Sequence, residues 1–234
     1  IPVGVAMTAI GLLFAVAEDD LRAAAAAGLS AVTGVCVMLI GVGSPLALAA
    51  AAAEAFAATF VFVALQMGLG AIYERQGTTR LSALGGLSRR MPITTVLVLL
   101  CGLAAAAAPG AALFATLAVA LDALARWEMR GLWAMVVAVS PVLFVGFALR
   151  PMLAAYEGKT LEGIQEAPFP MLLGTAVATF FCISIGVAPG WLYAFMPSEM
   201  AYLPLSLDRV GLQIELLGAT GVAYACLWAA RLTP

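Results

Sequence analysis

"RLSALGGLSRRMP", Arg80 to Pro92, lies in the middle of a chain of 234 residues that is 64% hydrophobic and 10% charged. Three arginines fall inside it, Arg80, Arg89 and Arg90, with Arg75 just upstream; Gly85-Gly86 comes before the last two and Met91-Pro92 closes it. Soluble domains carry roughly 25% charged residues, so a chain this poor in charge cannot cover a globular surface. Apolar runs of about eighteen residues or more recur on both sides of the basic stretch, as membrane-spanning helices require. Barrel strands would alternate polar and apolar over about 10 residues, and these runs do not. The fold class is therefore an all-α polytopic transmembrane bundle.

Working outward, eight apolar spans form a single transmembrane domain over 1–234, at about 1–17, 23–43, 45–73, 92–108, 111–126, 131–156, 169–195 and 209–230. The third is long enough to tilt. The opening "IPVGVAMTAIGLLFAVA" has no basic n-region and leads into acidic Glu18-Asp19-Asp20, so it reads as a span and not as a signal peptide. Alanine runs (Ala23–Ala27, Ala49–Ala53, Ala104–Ala108) suit close helix approach.

Sorting the loops by side puts Arg22, Arg75, Arg80, Arg89, Arg90, Arg126, Arg130 and Arg209 together and leaves Arg150, Lys159 and Arg231 opposite. Positive charge concentrates on the cytoplasmic side of membrane proteins. The loop 74–91 is therefore expected to be cytoplasmic in a bacterial inner membrane, with both chain ends on the other side.

Cys36, Cys101, Cys182 and Cys226 all lie in apolar runs and form no CxxC pair, so they read as small core residues. The chain has no histidine, which removes the commonest metal ligand and proton shuttle. No metal, cofactor or catalytic residue is expected. The net charge of −2 marks no class of soluble partner, and nucleic acid is not expected. Trp127, Trp133, Trp191 and Trp228 lie near span ends and suit an interfacial belt.

The positive-inside rule accounts for the arginines but not for Gly-Gly before them or Met-Pro after. "YERQGTTRLSALGGLSRRMP" resembles a loop of the antiporter-like membrane subunits of respiratory complex I and of multisubunit (Mrp-type) sodium/proton antiporters. "AEDDLRAAAAAGLSAVTG" is similar to the family's "QxDLKRLLAYSSxSxxG", with Asp20, Leu21, Arg22 and Gly34 in register. "AAAAPGAALFATLAVAL" is similar to its Pro-Gly…Phe element, with Pro109, Gly110 and Phe114 in register. "EAPFPMLLGTAVATFFCISIGVAPGWL" is similar to its late helix. Together the matches cover nearly the whole chain but only the C-terminal half of a typical member. The resemblance implies one five-helix repeat plus flanking helices, working beside other membrane subunits and lipids.

It also locates departures. The family's long helix carries "HxxxHxxFKAxLF"; here Glu54 stands at the first histidine, Ala58 at the second and Phe62 at the lysine. Leu117 stands where the broken helix has a lysine or glutamate. Leu, Phe and Ala do not exchange protons, so the resemblance implies a relay that has largely been lost.

Few ionisable groups remain inside the spans, and such residues are functional by default. Glu54 reads either as a proton or cation site in a wet cavity or as a neutral carboxyl bonded to a neighbouring helix. Asp122 reads either as a path residue or as half of a helical pair with Arg126, four residues on. Glu215 is expected near the interface. Arg150 is placed to snorkel, and Pro141 to kink its span. Pro109-Gly110 reads either as a loop between two spans or as the break of a discontinuous helix, an element that lines ion sites in transporters.

Two functions follow. One is a subunit of a proton- or cation-translocating complex, with Glu54 and Asp122 as its remaining path candidates. The other is a scaffold that has lost the relay and spaces other membrane proteins. A membrane enzyme would need polar catalytic groups clustered at the interface, and the sequence shows none.

Overall fold

A computed structural model describes residues 1–156, 165–193 and 205–230. The elements are α1 (Pro2–Ala17), α2 (Leu21–Val42), α3 (Pro45–Gln76), the short α4 (Leu87–Arg90), α5 (Pro92–Ala105), α6 (Ala112–Arg126), α7 (Arg130–Phe144), a π-helical turn (Val145–Leu149), α8 (Arg150–Tyr156), α9 (Phe169–Val187), the short α10 (Gly190–Tyr193) and α11 (Leu207–Ala229). Every expected span is helical, and the described residues hold no strand beyond an isolated bridge between Asp20 and Arg80. Of the seventh span, residues 194 and 195 lie outside the described residues, as do Lys159, Arg231 and the Trp191 side chain.

Local chemistry sets the helix starts. Asp20 caps α2 by accepting from the Arg22 amide, and Ser44 caps α3 by accepting from the Ala47 amide. Pro45 and Pro92 occupy first-turn positions where no amide donor is needed. In the basic loop, Gly86 takes φ 62°, a left-handed conformation that glycine adopts without steric cost.

Small residues set the packing. A side-chain carbon on Gly4 of α1 would stand 2.6 Å from the Gly34 carbonyl of α2, so only glycine permits this approach. A side chain on Gly102 would collide with the Phe147 carbonyl, which the π-helical turn after Pro141 presents to α5. Cys36, Cys101 and Cys182 are buried as expected, but Cys226 is exposed. Large apolar side chains such as Leu13, Leu173 and Phe180 are half exposed or more, which suits lipid or protein neighbours.

The contacts along α5 and α6 revise the course of the chain. α9 and the residues that flank it run beside them in one direction: Glu166 before α9 reaches Thr94, Thr179 meets Cys101, Gly186 abuts Gly110 and Tyr193 of α10 reaches Ala115. α3 runs beside them in the other, with Gly68 at Val98 and Glu54 at Thr116. α6 therefore continues the direction of α5. The fourth and fifth expected spans are halves of one discontinuous rod, and Pro109-Gly110 is its break, not a loop between two traverses.

This changes which charges share an end. The guanidinium of Arg150 donates to the Val16 carbonyl over 2.6 Å and lines a groove with Asp19 and Ser82. It therefore belongs to the end of the basic loop, not the opposite one. Arg126, Arg130 and Arg209 move to the far end, where α6 finishes and α7 and α11 begin. Among the described residues the count is six on the loop end (Arg22, Arg75, Arg80, Arg89, Arg90, Arg150) against three, so the asymmetry survives with different members.

A candidate ion site at a broken helix

Glu54 lies on the buried face of α3, amid Ala50, Ala53, Ala57 and Ala58, and is 1% exposed. The side chain its carboxyl meets is Thr116 of α6, whose hydroxyl also stands 3.3 Å from the Leu113 carbonyl. The other carboxyl oxygen, Oε2, is buried without a hydrogen-bond partner. Cys36 of α2 and Tyr193 of α10 lie within electrostatic range of this carboxyl. A buried polar atom left unpaired costs roughly 1–3 kcal/mol, more if charged, so the site favours whatever supplies a proton or a positive charge.

The break lies just before α6. Helix ends leave carbonyls without partners inside the helix, and here two other helices supply them. Ser140 of α7 donates to the Ala106 carbonyl over 2.6 Å. Gln213 of α11 donates to the Ala107 carbonyl over 3.0 Å and also to the Ser140 hydroxyl. Ala107 itself takes φ 53°, a left-handed conformation that costs an L residue about 1–2 kcal/mol. Gly110 takes φ 83°, where glycine has no such cost. The Tyr193 hydroxyl donates to the Ala115 carbonyl over 3.3 Å in the first turn of α6.

Asp122 faces α11 near the far end of α6. It pairs with Arg209 over 2.8 Å, both side chains about a third exposed (32% and 35%). Its salt bridge thus joins two helices; the local pairing with Arg126 expected from helical spacing is replaced by this one. The pair lines a pocket of about 240 Å³ with Phe114, Leu117, Trp133 and Gln213. Glu54 and Asp122 are not brought together: Thr116 and Asp122 are six residues apart, about 9 Å of helix rise.

The positions at which the resemblance implies lost charges are filled by hydrocarbon. Ala58 is buried, Leu117 is buried beside the pocket, and Phe62 packs edge-on against Phe147 with centroids 6.1 Å apart. Sequence reasoning passed over Ser140, Gln213 and Tyr193. The first two were open to discovery as uncharged polar residues inside apolar runs. Tyr193 and the pairing role of Arg209 emerge only from the fold. No group of three or more metal-ligating side chains occurs among the described residues.

The geometry so far defines an α-helical integral membrane protein built around a discontinuous helix. Residues 2–144 match the family described as "NADH:quinone oxidoreductase/Mrp antiporter, TM", and the chain belongs to that family. A curated relative from Rhizobium meliloti (strain 1021), described as a probable K(+)/H(+) antiporter subunit, is 32% identical over 106 residues, 45% of this chain and 11% of that protein. The structure is similar to a chain of the Mrp complex from Dietzia sp. DQ12-45-1b (TM-score 0.75, 18% identity, 97% of this chain and 48% of that one). It is similar to a chain of the archaeal membrane-bound sulfane sulfur reductase (TM-score 0.77, 25% identity, 96% and 39%). It also resembles a chain of respiratory complex I from Thermus thermophilus (TM-score 0.65, 22% identity, 92% and 44%). The chain thus spans about a tenth of the curated relative and under half of each of these structural neighbours.

Proposed function

We propose that this chain is a membrane subunit of a proton- or cation-translocating complex of the complex I or Mrp type, in a bacterial inner membrane with the basic loop 74–91 on the cytoplasmic side. Glu54 is its ion-handling group. One observation carries the reading: a buried carboxyl with an unpaired oxygen stands against Thr116 in the second turn of α6, shortly after the break of a discontinuous helix. Half-helix ends beside an ionisable group are how membrane transporters build ion sites. Asp122 is a secondary candidate, held by Arg209 at the edge of an open pocket.

The relay around Glu54 is otherwise degenerate on this reading, because Ala58, Phe62 and Leu117 neither accept nor donate protons. The packing of Phe62 on Phe147 favours the second reading, a scaffold that keeps the helical frame and carries no flux. The two separate in one experiment. Glu54→Gln in the purified, reconstituted complex should cut proton or cation flux into vesicles by tenfold or more while leaving assembly intact. Unchanged flux would reject the role of Glu54 and leave the scaffold.

A further inference from the structure

The outward face of α11 carries an ionisable side chain at mid-depth, and no hydrogen bond or ion pair to it appears among the described residues. α11 buries only Gln213 and Leu217. Gln213 fixes its depth, because its amide reaches the Ala107 carbonyl inside the break of the α5–α6 rod. Glu215 comes two residues later. Two residues turn a helix by about 200°, so Glu215 points away from the bundle, and it is exposed. It stands eight residues, about 12 Å, into a 23-residue apolar helix. The sequence alone placed Glu215 near the interface; the contact of Gln213 moves it to the level of the break.

The same face carries Gly211, Gly218 and Val222, spaced so that they share one stripe with Glu215. A side chain added at Gly211 or Gly218 would meet nothing within 4 Å. Glycines along such a stripe let a second backbone approach closely. An ionisable carboxyl at this depth facing hydrocarbon is costly, and such groups pair with one another or line water. The glycines and the carboxyl are independent observations: one says that a helix fits, the other says what it must carry.

We propose that this face of α11 docks a transmembrane helix of a companion subunit, and that this helix presents a lysine or arginine to Glu215. The inference rests on the reading that the chain works inside a multisubunit membrane assembly. It does not depend on ion flux through Glu54.

The test uses the complete complex, co-expressed with its companion subunits, carrying a benzophenone photo-crosslinking residue at Val222, which is 67% exposed. The expected product is an adduct to a transmembrane segment of a companion subunit, with a Lys or Arg within one turn of the depth of Glu215. In that background Glu215→Lys should reduce the adduct at least tenfold, Glu215→Gln should retain most of it, and changing the mapped basic residue to Glu should restore it in the Glu215→Lys form. Adducts to lipid alone, to a second copy of this chain, to another part of its own polypeptide, or to a helix without a basic residue at that depth would each overturn the proposal. Mapping in the otherwise unaltered protein decides the matter even if Glu215→Lys fails to fold. An intact adduct together with unchanged flux in Glu54→Gln would reject the ion path while leaving this interface standing.

Discussion

The side-chain amide of Gln213 donates to the Ala107 carbonyl over 3.0 Å, so the last described helix of the chain fastens the interruption of its central one. Gln213 reaches the Ser140 hydroxyl as well, and Ser140 in turn holds the Ala106 carbonyl. The left-handed turn at Ala107 persists because its neighbourhood over-determines it.

Gln213→Leu removes the donor to Ala107 and leaves a buried carbonyl unpaired. The expected cost is about 1–3 kcal/mol, read as a lower melting temperature of the detergent-solubilised protein. Leu212→Ala, on an exposed position of the same helix, should have little effect. Equal effects at the two positions would show that the break does not need Gln213.

Gly102→Ala places a carbon against the Phe147 carbonyl, which is backbone and cannot swing aside. Overpacking of this kind costs typically about 1–3 kcal/mol. Gly70→Ala has open space at its side-chain position and should be neutral or slightly stabilising, since alanine is the better helix former. The melting temperature should therefore fall in Gly102→Ala and hold or rise slightly in Gly70→Ala; a harmless Gly102→Ala would contradict the close contact of α5 with the π-helical turn.

Asp122→Asn should loosen α11 from α6 by about 1 kcal/mol or less, the scale of a partly exposed ion pair. Arg126→Ala should leave stability unchanged, because Asp122 is held by Arg209. Crosslinking or proteolysis at the start of α11 would report the difference. A larger effect from Arg126→Ala than from Asp122→Asn would restore the local pairing.

Glu166 carries the acid sensitivity of the loop end. Partial burial pulls its carboxyl upward, but the Thr94 hydroxyl and the amides of Ile93, Ala167 and Thr94 outweigh that and hold it below the usual carboxylate range. A depressed folded value means that the stabilisation is complete above the unfolded value of about 4.3 and is lost as pH falls through the folded one. Asp19, bonded to Ser82, and Asp20, bonded to Thr79, are lowered likewise and add in the same direction. The melting temperature should drop below about pH 4. Glu166→Gln should lower it at neutral pH and narrow the gap to the unaltered protein in acid. A constant gap across that range would remove Glu166 from the account.

Much of this was legible because apolarity and capping are local. Apolar runs marked the long helices, Pro45 and Pro92 stood at the expected starts of two of them, and Glu54 was conspicuous as a charge in hydrocarbon. The basic loop stood out for the same reason. The orientation of α6 was not legible, since a short apolar segment after Pro-Gly reads alike whether it turns back or carries on. That error propagated by alternation, moving Arg126, Arg130, Arg209 and Arg150 to the wrong ends.

The sequence by itself determined that this is a helical membrane protein, roughly where its helices lie, and which family motifs it carries, because those depend on residues near one another along the chain. The tertiary structure alone decided that α5 and α6 form one interrupted rod, that Asp122 answers Arg209 and not Arg126, and that Gln213 and Ser140 hold the break. Each of these joins groups up to 106 residues apart. Hydrogen bonds and ion pairs act over a few ångströms, so only packing that brings distant helices together can select among the partners that the sequence leaves equivalent.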